Sequence, residues 1–264
     1  MPLFDAHCHL QDPRLIESAD LLLTACEALG VEKTAVNGTS EKDWSAVSGL
    51  ASRSRCVLPS YGLHPWFVKE RGEDWKEVLL DYWESDDAHV GEIGLDRWIR
   101  DFDIEDQIEV FRWQLRQAER LDKACTIHCL KAFGILETVL REECCLPQKG
   151  FLLHSYGGSA EMIPGFASMG AYFSFSAYFS LERKEKQREV FRSVPLDRLL
   201  IETDSPDMLG DSGLISYPRF DERGESINDP RNIVGIYDYV AEMLNVDRSE
   251  LEEQVADNFR RLFC

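Results

Sequence analysis

Short apolar runs alternate along the chain with longer amphipathic or charged stretches. Several of the runs are apolar without alternation, a pattern typical of strands that are buried on both faces of a parallel sheet. The pattern predicts strands at Leu3–Asp5, Thr34–Val36, Cys56–Tyr61, His89–Glu92, Ala124–Ile127, Phe151–Leu153, Ala171–Ser174 and Leu199–Glu202.

The stretches between the predicted strands have helical periodicity. The segment Glu105–Leu121 is an example, because its apolar residues share one helical face, at Ile108, Phe111, Leu115 and Ala118. About eight such β–α alternations follow one another without a Pro/Gly/Ser-rich linker or an internal repeat. We therefore predict that residues 1–264 form a single domain of the α/β class, a (β/α)8 TIM-type barrel.

Two segments depart from this alternation. The segment Ser205–Pro230 contains several glycines and prolines among mixed charges, and we predict a long loop after the eighth strand. The tail Ser249–Cys264 has apolar residues at helical spacing, at Leu251, Val255, Phe259 and Leu262. We predict that this tail is a helix that packs against the barrel.

The composition is that of an acidic protein with ample apolar material for a core. The formal net charge is −19, and 44% of the residues are hydrophobic. This charge argues against a protein that holds nucleic acid by a broad basic surface. Local phosphate binding is still compatible with it, because bound divalent cations can reverse the field at one site.

The eight cysteines are scattered and form no paired CxxC motif. The first residues lack the basic segment and apolar run of a signal peptide, and no apolar stretch approaches the length of a membrane span. We therefore expect reduced thiols, a cytoplasmic location with a nuclear one as the alternative, and no contact with membranes. We also expect a monomer.

Metal-binding residue types cluster at the ends of the predicted strands. His7 and His9 follow the first strand, Glu92 the fourth, His128 the fifth, His154 the sixth and Asp204 the eighth. Active sites of such barrels are built at the carboxyl ends of the strands and from the loops after them. These residues therefore predict a metal site at the C-terminal face of the barrel.

The residue types suit divalent cations. Alternation along an extended segment points the imidazoles of His7 and His9 the same way, so that both can bind one ion. A carboxylate such as Glu92 beside a buried run is costly unless it is paired or metal-bound, and its two oxygens can bridge two cations. His128 and His154 together with Glu92 form a plausible second site.

Three further residues are candidates for chemistry or substrate contact. Asp204 lies in Glu202-Thr203-Asp204-Ser205-Pro206, where a carboxylate can bind a metal and accept a proton from water. Glu202 precedes it by two residues and is expected to point the same way, steering a ligand or the water. His64 follows the third strand, and we favour contact with a phosphate or leaving group over metal binding.

Cys8 and Cys129 lie beside the predicted ligands but are poor candidates for a nucleophile. Alternation points Cys8 away from the two imidazoles, and Cys129 has no base other than its neighbour His128. We therefore do not expect cysteine chemistry.

Six motifs occur in an order that resembles the TatD-type metal-dependent deoxyribonuclease family of the amidohydrolase superfamily. They are His7-x-His9, Gly62-x-His64-Pro65, Gly91-Glu92-Ile93-Gly94-Leu95-Asp96, Ile127-His128, Leu153-His154 and Glu202-Thr203-Asp204-Ser205-Pro206. The resemblance covers essentially the whole chain, because Asn258-Phe259-x-x-Leu262-Phe263 is similar to the terminal helix of the family.

The resemblance implies a binuclear site and a nuclease activity. The first ion would be held by His7, His9, Glu92 and Asp204, and the second by Glu92, His128 and His154. The ions would be Mg²⁺ or Mn²⁺, with Zn²⁺ as an alternative, and the substrate would be DNA, trimmed as a single strand from its 3′ end. Asp204 would take the proton from the attacking water, and His64 would help to position the phosphate.

The chain departs from the family pattern in places that bear on substrate preference. Two residues after the fifth-strand histidine, where the family commonly has a basic residue, this chain has Leu130, and Lys131 follows it. Ser155-Tyr156-Gly157-Gly158-Ser159 replaces a phenylalanine-centred turn, and Arg97-Trp98 replaces a tyrosine pair. The metal-binding residues are unaffected.

Two alternative functions follow from the same residues. One is hydrolysis of an amide, lactone or nucleobase, although many such relatives bridge their metals with a carboxylated lysine and this chain has Glu92. The other is a nucleic-acid-binding scaffold that retains the metal ligands. If the protein binds nucleic acid, either as a nuclease or as a scaffold, aromatic residues in loops are candidates for stacking on bases. They are Trp66, Trp98, Tyr156 and Tyr178.

Overall fold

A sheet of eight parallel strands forms the centre of the protein in a computed structural model that describes residues 1–84 and 88–264. Each strand pairs with its neighbours in sequence order. The strands are β1 (Leu3–Cys8), β2 (Val31–Asn37), β3 (Val57–Tyr61), β4 (His89–Asp96), β5 (Cys125–Leu130), β6 (Phe151–Leu153), β7 (Ala171–Phe175) and β8 (Leu199–Ile201). Helices lie between the strands, so the TIM-type barrel predicted from the sequence is confirmed.

One α-helix follows each of the first seven strands, and two follow β8. They are α1 (Ala19–Ala28), α2 (Trp44–Arg53), α3 (Trp75–Trp83), α4 (Ile104–Arg120), α5 (Phe133–Glu142), α6 (Ile163–Ser168), α7 (Glu185–Phe191), α8 (Ile233–Leu244) and α9 (Arg248–Phe263). Helix α4 buries Phe111, Leu115 and Ala118, as its periodicity predicted, while Ile108 is half-buried.

Strands β1, β4 and β5 are longer than the apolar runs predicted. His7, Glu92 and His128 therefore lie within strands rather than after them, which corrects the predicted strand ends. His7 and Glu92 are buried and His128 is half-buried, so polarity does not signal the strand end at this face. His9, His64, His154 and Asp204 lie beyond their strands, as predicted.

Helix α9 packs against the barrel beside β1 and β8, as predicted for the tail. The ring of Phe259 lies 4.7 Å from that of Phe4 in β1. At the other end of β4 from Glu92, the His89 Nε2 lies 2.9 Å from the carbonyl oxygen of Phe263. His89 is thus held to the terminal helix, away from the other histidines.

The seam between β1 and β8 is closed by a buried carboxylate and by backbone hydrogen bonds. Asp5 is 2% exposed and accepts hydrogen bonds from the amide of Thr203 at 2.9 Å and from its hydroxyl at 2.6 Å. The amide of Asp204 donates to the carbonyl of His7, and the amide of His9 donates to the carbonyl of Ser205. Burial raises the pKa of Asp5 to about 7.

The segment after β8 is mostly loop, as predicted. It contains a short antiparallel hairpin of β9 (Arg219–Phe220) and β10 (Ser226–Ile227). The side-chain amide of Asn228 donates to the carbonyl of Thr203 at 2.8 Å, so the end of this loop is fixed to the seam. Among the helices of the described residues, none has the length and apolar character that a membrane crossing requires.

The seam predicts an effect of removing one hydroxyl. Thr203→Val leaves a buried Asp5 oxygen without its closest donor, and we expect the free energy of unfolding to fall by about 1–3 kcal/mol. Thr138→Val is the control, because that hydroxyl lies on the exposed face of α5 and is expected to matter by less than about 0.5 kcal/mol. Urea denaturation of both variants measures the difference, and equal midpoints would contradict the role of the seam.

Candidate metal centre

One carboxylate, that of Glu92, lies at the centre of a cluster of imidazoles. Glu92 is 2% exposed and sits in β4. Its two carboxylate oxygens face different histidines. Oε1 lies 2.9 Å from His154 Nε2, 3.2 Å from His128 Nδ1 and 3.3 Å from His64 Nε2. Oε2 lies 3.3 Å from His9 Nε2 and 3.4 Å from His7 Nε2. In the described parts of the chain, no lysine or arginine forms an ion pair with this carboxylate.

His7 and His9 point the same way, as the alternation of β1 predicted. Their Nε2 atoms lie only 3.1 Å apart. His9 Nδ1 is 2.8 Å from the carbonyl oxygen of Asn37 at the end of β2, a contact in which the ring nitrogen must donate. That tautomer leaves a lone pair on His9 Nε2, which is the arrangement found in metal-binding histidines.

His128 and His154 form the other side of the cluster. His128 Nδ1 lies 3.3 Å from His154 Nε2, and both atoms face Glu92. The opposite nitrogen of His128 donates to Asp96 Oδ2 at 2.9 Å. Asp96 is in turn held by the amides of Trp98 at 2.6 Å and Ile99 at 3.2 Å, so the orientation of the His128 ring is set by a buried carboxylate.

Asp204 reaches the cluster from the loop after β8. Its Oδ1 lies 3.5 Å from the Nε2 atoms of both His7 and His9. The residue has a φ of +52°, in the left-handed region that aspartate tolerates better than most residues. This conformation and the hydrogen bond of its amide to His7 place its carboxylate beside the histidine pair.

Glu202 lies behind His154 and is completely buried. Its Oε1 accepts hydrogen bonds from the amide and hydroxyl of Ser155, at 2.8 and 2.6 Å, and its Oε2 accepts one from the hydroxyl of Ser174. His154 Nδ1 is 3.6 Å from Glu202 Oε1. With its oxygens occupied in this way, Glu202 is placed to orient His154, and the predicted role in steering a ligand or the water stays a prediction.

His64 is held in the same cluster from the loop after β3. Its Nδ1 accepts a hydrogen bond from the amide of Trp66 at 3.2 Å, so the proton of a neutral ring lies on the Nε2 that faces Glu92. It is 5% exposed, more deeply placed than a loop position implies. Its contact with substrate stays a prediction.

The electrostatics of the cluster divide the histidines into two kinds. Burial lowers the pKa of His7 and of His64 to about 4. Burial also acts on His9, but the hydrogen bond and charge of Glu92 outweigh it and raise the pKa to about 9. The pKa of Glu92 is held well below its usual range because the charges of the surrounding imidazoles outweigh its burial, whereas burial raises that of Asp204 to about 7.

The donor set fits divalent cations. Three groups of residues bring ligand atoms within 4.8 Å of one another around Glu92 or its neighbours: His7, His9 and Asp204; His7, Glu92 and His154; and His64, Glu92 and His128. A fourth group joins His154, Glu202 and Asp204. The two oxygens of Glu92 face separate sets of imidazoles, which is the arrangement that a carboxylate bridging two ions requires.

Glycine at position 94 allows β4 and β5 to approach at the cluster. Gly94 has a φ of +149°, and a Cβ there would lie 1.9 Å from the carbonyl oxygen of His128. It is paired in register with His128, two residues after Glu92. The short distance between the Glu92 and His128 side chains therefore depends on the absence of a side chain at this position.

Two partners of the cluster were missed from the sequence. Asp96 carried a detectable signal, because it follows Glu92 by four residues in the same strand and so lies on the same face. The carbonyl of Asn37 carried none, because a backbone group has no sequence signature.

Two other predictions have clear outcomes. Tyr156 does not present its ring for stacking: it is fully buried and donates its hydroxyl proton to the carbonyl of Ser159, which corrects that prediction. Cys8 and Cys129 are buried, and burial raises the pKa of both thiols, so neither is an activated nucleophile.

Comparison with known proteins identifies relatives over the whole chain. A family model described as TatD related DNase matches residues 4–264. The uncharacterized metal-dependent hydrolase YcfH of Escherichia coli is 30% identical, with 100% of this chain and 96% of the relative covered. An Erwinia tasmaniensis protein named as a 3′-5′ ssDNA/RNA exonuclease is 28% identical, with 99% of each chain covered. The crystal structure of the Escherichia coli TatD homologue YjjV superposes with a TM-score of 0.89 at 25% identity, covering 99% of this chain and 97% of the other.

The close approach at Gly94 predicts opposite effects for two Gly→Ala changes. Gly94→Ala adds a methyl group against the His128 carbonyl and strains a positive φ, and we expect a loss of about 2–4 kcal/mol in the free energy of unfolding. Gly134→Ala in α5 meets nothing within 4 Å and is expected to gain about 0.5–1 kcal/mol. Denaturation curves test both, and tolerance of alanine at position 94 would refute the packing argument.

Proposed function

The chain belongs to the TatD-related DNase family of metal-dependent hydrolases, and we propose that it hydrolyses phosphodiester bonds of single-stranded DNA from the 3′ end. The observation that carries the proposal is the division of five imidazoles between the two oxygens of one buried carboxylate, Glu92. Such a set has the ligands of a binuclear centre and lacks a serine or cysteine nucleophile with its own base.

We assign the ligands of two ions. His7, His9, Glu92 and Asp204 would hold the first, and Glu92, His128 and His154 the second. Mg²⁺ or Mn²⁺ are the proposed ions, with Zn²⁺ as an alternative that the many nitrogen ligands suit. When bound, the ions supply an acidified water and positive charge for the non-bridging phosphate oxygens.

The chain's own side chains then have distinct roles. Asp204 accepts a proton at its carboxylate, which lies beside the His7 and His9 pair with Oδ1 3.5 Å from both Nε2 atoms. His64 offers an Nε2 proton to a phosphate oxygen, since its Nδ1 is already an acceptor. Glu202 orients His154, and Asp96 orients His128.

Phosphodiester hydrolysis is favoured over the alternatives. The relative named as an exonuclease acting on ssDNA and RNA matches over nearly the full length of both chains. An amide, lactone or nucleobase hydrolase with a carboxylated lysine bridge would need a lysine where this chain has Glu92. A scaffold without activity would have no use for a ligand set that is oriented by further buried groups such as Asp96.

The proposed base predicts the effect of a single substitution. Asp204→Asn removes the proton acceptor and a metal ligand, and we expect release of nucleotides from a 3′-labelled single strand to fall by roughly 10²–10⁴-fold. Asp207→Asn is the control, because this exposed carboxylate in the same loop pairs with Arg14 outside the cluster.

The same assay tests metal dependence. Wild-type activity should disappear with EDTA and return with added Mg²⁺, Mn²⁺ or Zn²⁺. Near-normal cleavage by the Asp204→Asn protein, or cleavage that chelation leaves unchanged, would overturn the mechanism. Hydrolysis of a cyclic amide or lactone with no cleavage of phosphodiesters would favour the amidohydrolase alternative.

The bridging role of Glu92 predicts a change in metal content. Wild-type protein dialysed against metal should hold two ions per chain, and Glu92→Gln should lose at least one of them because both proposed sites share this carboxylate. His89→Gln serves as the control, since this histidine is held by Phe263 at the opposite end of β4. Elemental analysis after equilibrium dialysis gives the stoichiometry, and unchanged content in Glu92→Gln would exclude the bridge.

A further inference from the structure

Two exposed tryptophans lie beside the metal centre at the carboxyl ends of the strands. Trp66, in the loop after β3, is 48% exposed, and Trp98, in the loop after β4, is 61% exposed. They line one open cleft of about 530 Å³ together with Ile99 and Arg100, and we call it the aromatic cleft. Large aromatic side chains that remain in solvent at such a place require an explanation other than packing.

The aromatic cleft is joined to a proposed metal ligand, His128, through the carboxylate of Asp96. The indole nitrogen of Trp66 donates to Asp96 Oδ2 at 2.7 Å, and the same oxygen accepts from His128. The Trp66 ring lies 5.2 Å from the His64 ring and 6.3 Å from the His128 ring. A group that lies on the outer face of Trp66 is therefore next to whatever occupies the metal centre.

Three cations surround the cleft in an otherwise acidic protein. Arg97 and Arg100 are exposed on the loop after β4, and Lys131 follows β5 with its ammonium 5.9 Å from the Trp98 ring. Within residues 1–84 and 88–264, no ion pair joins any of the three to a carboxylate. Arg100 lines the cleft and Lys131 lies against Trp98, while the Arg97 guanidinium lies 5.8 Å from the ring of Phe102.

We propose that the aromatic cleft binds nucleobases of a single-stranded nucleic acid while these three cations contact its phosphates. Indole faces stack bases without regard to their identity, and guanidinium and ammonium groups bind the intervening phosphates. A duplex is excluded as the ligand of the cleft, because its bases are already stacked and paired. The assignment rests on the proposed phosphodiesterase function, and it places the nucleotide next to the scissile phosphate on Trp66 and its neighbour on Trp98.

The test compares base-bearing and abasic oligonucleotides. In the Asp204→Asn background, fluorescence anisotropy measures the affinity of a labelled oligothymidylate and of the same chain with abasic residues at its 3′ end. We expect the Asp204→Asn protein to bind the base-bearing oligonucleotide more tightly than the abasic one. Adding Trp98→Ala should weaken binding of the base-bearing oligonucleotide by about 5- to 150-fold and barely change binding of the abasic one. Trp98→Phe should restore most of the preference, because the stacking surface is retained.

The cations are tested by salt dependence. Arg100→Ala should weaken oligonucleotide binding and reduce the slope of log affinity against log salt by about one. Arg55→Ala is the matched control, because it removes the same charge from an exposed position before β3, at the opposite end of the barrel. Equal effects of the two variants would mean that only net charge matters and would overturn the phosphate contact.

These experiments distinguish failure of the aromatic-cleft proposal from failure of the proposed phosphodiesterase function. If wild-type protein cleaves phosphodiesters but the Asp204→Asn protein binds both oligonucleotides equally, or Trp98→Ala leaves the preference intact, the aromatic cleft is refuted and the proposed function stands. If no phosphodiester is cleaved but the preference for bases depends on Trp98, the proposed function fails and the cleft is a nucleic-acid site. Stronger binding of a duplex than of a single strand would also overturn the proposal.

Discussion

A buried negative charge without a permanent counter-charge is the constraint on which the rest of this structure depends. Glu92 is 2% exposed, and its ion-pair partners among the described residues are all imidazoles. An isolated carboxylate in such a position costs far more free energy than a domain can spare, so the surrounding groups must supply positive charge as protons or as metal. His7 and His9 cannot both do so as protonated rings, because their Nε2 atoms are 3.1 Å apart. Divalent cations satisfy the carboxylate and the imidazoles at the same time.

Closure of the barrel and assembly of the site are the same structural event. The proposed ligands come from β1, β4, β5 and the segments after β1, β6 and β8, so they meet only when β8 lies against β1. Asp5 holds that seam through Thr203, and the backbone bond between Asp204 and His7 belongs to it. The seam therefore sets the distance between the histidine pair and the proposed base. Stability and catalysis are coupled there, since loosening the seam moves a ligand.

Much of this arrangement was predictable from the sequence, and the misses have physical causes. The barrel and the residues of the cluster followed from buried strands that end in polar groups, a pattern local in the sequence. The ends of β4 and β5 did not follow, because Glu92 and His128 look like terminators until their tertiary partners are known. Tyr156 was misassigned for the same reason: an aromatic residue among glycines resembles a loop residue, and only packing reveals that its ring is buried. Asp96 was within reach, four residues after Glu92 on one face of the strand.

The net charge of −19 is compatible with a nucleic-acid substrate because affinity depends on the local field. Two divalent cations would balance the four carboxylates of the cluster, Glu92, Asp204, Glu202 and Asp96, if the histidines bind as neutral ligands. The centre would then be close to neutral, and Arg97, Arg100 and Lys131, which form no ion pair with a carboxylate among the described residues, supply positive charge beside the aromatic cleft. The net negative charge of the chain disfavours non-productive binding of nucleic acid away from this site. A protein that is acidic overall but positively charged beside this site is thereby suited to bind one end of a nucleic-acid strand rather than a long stretch of it.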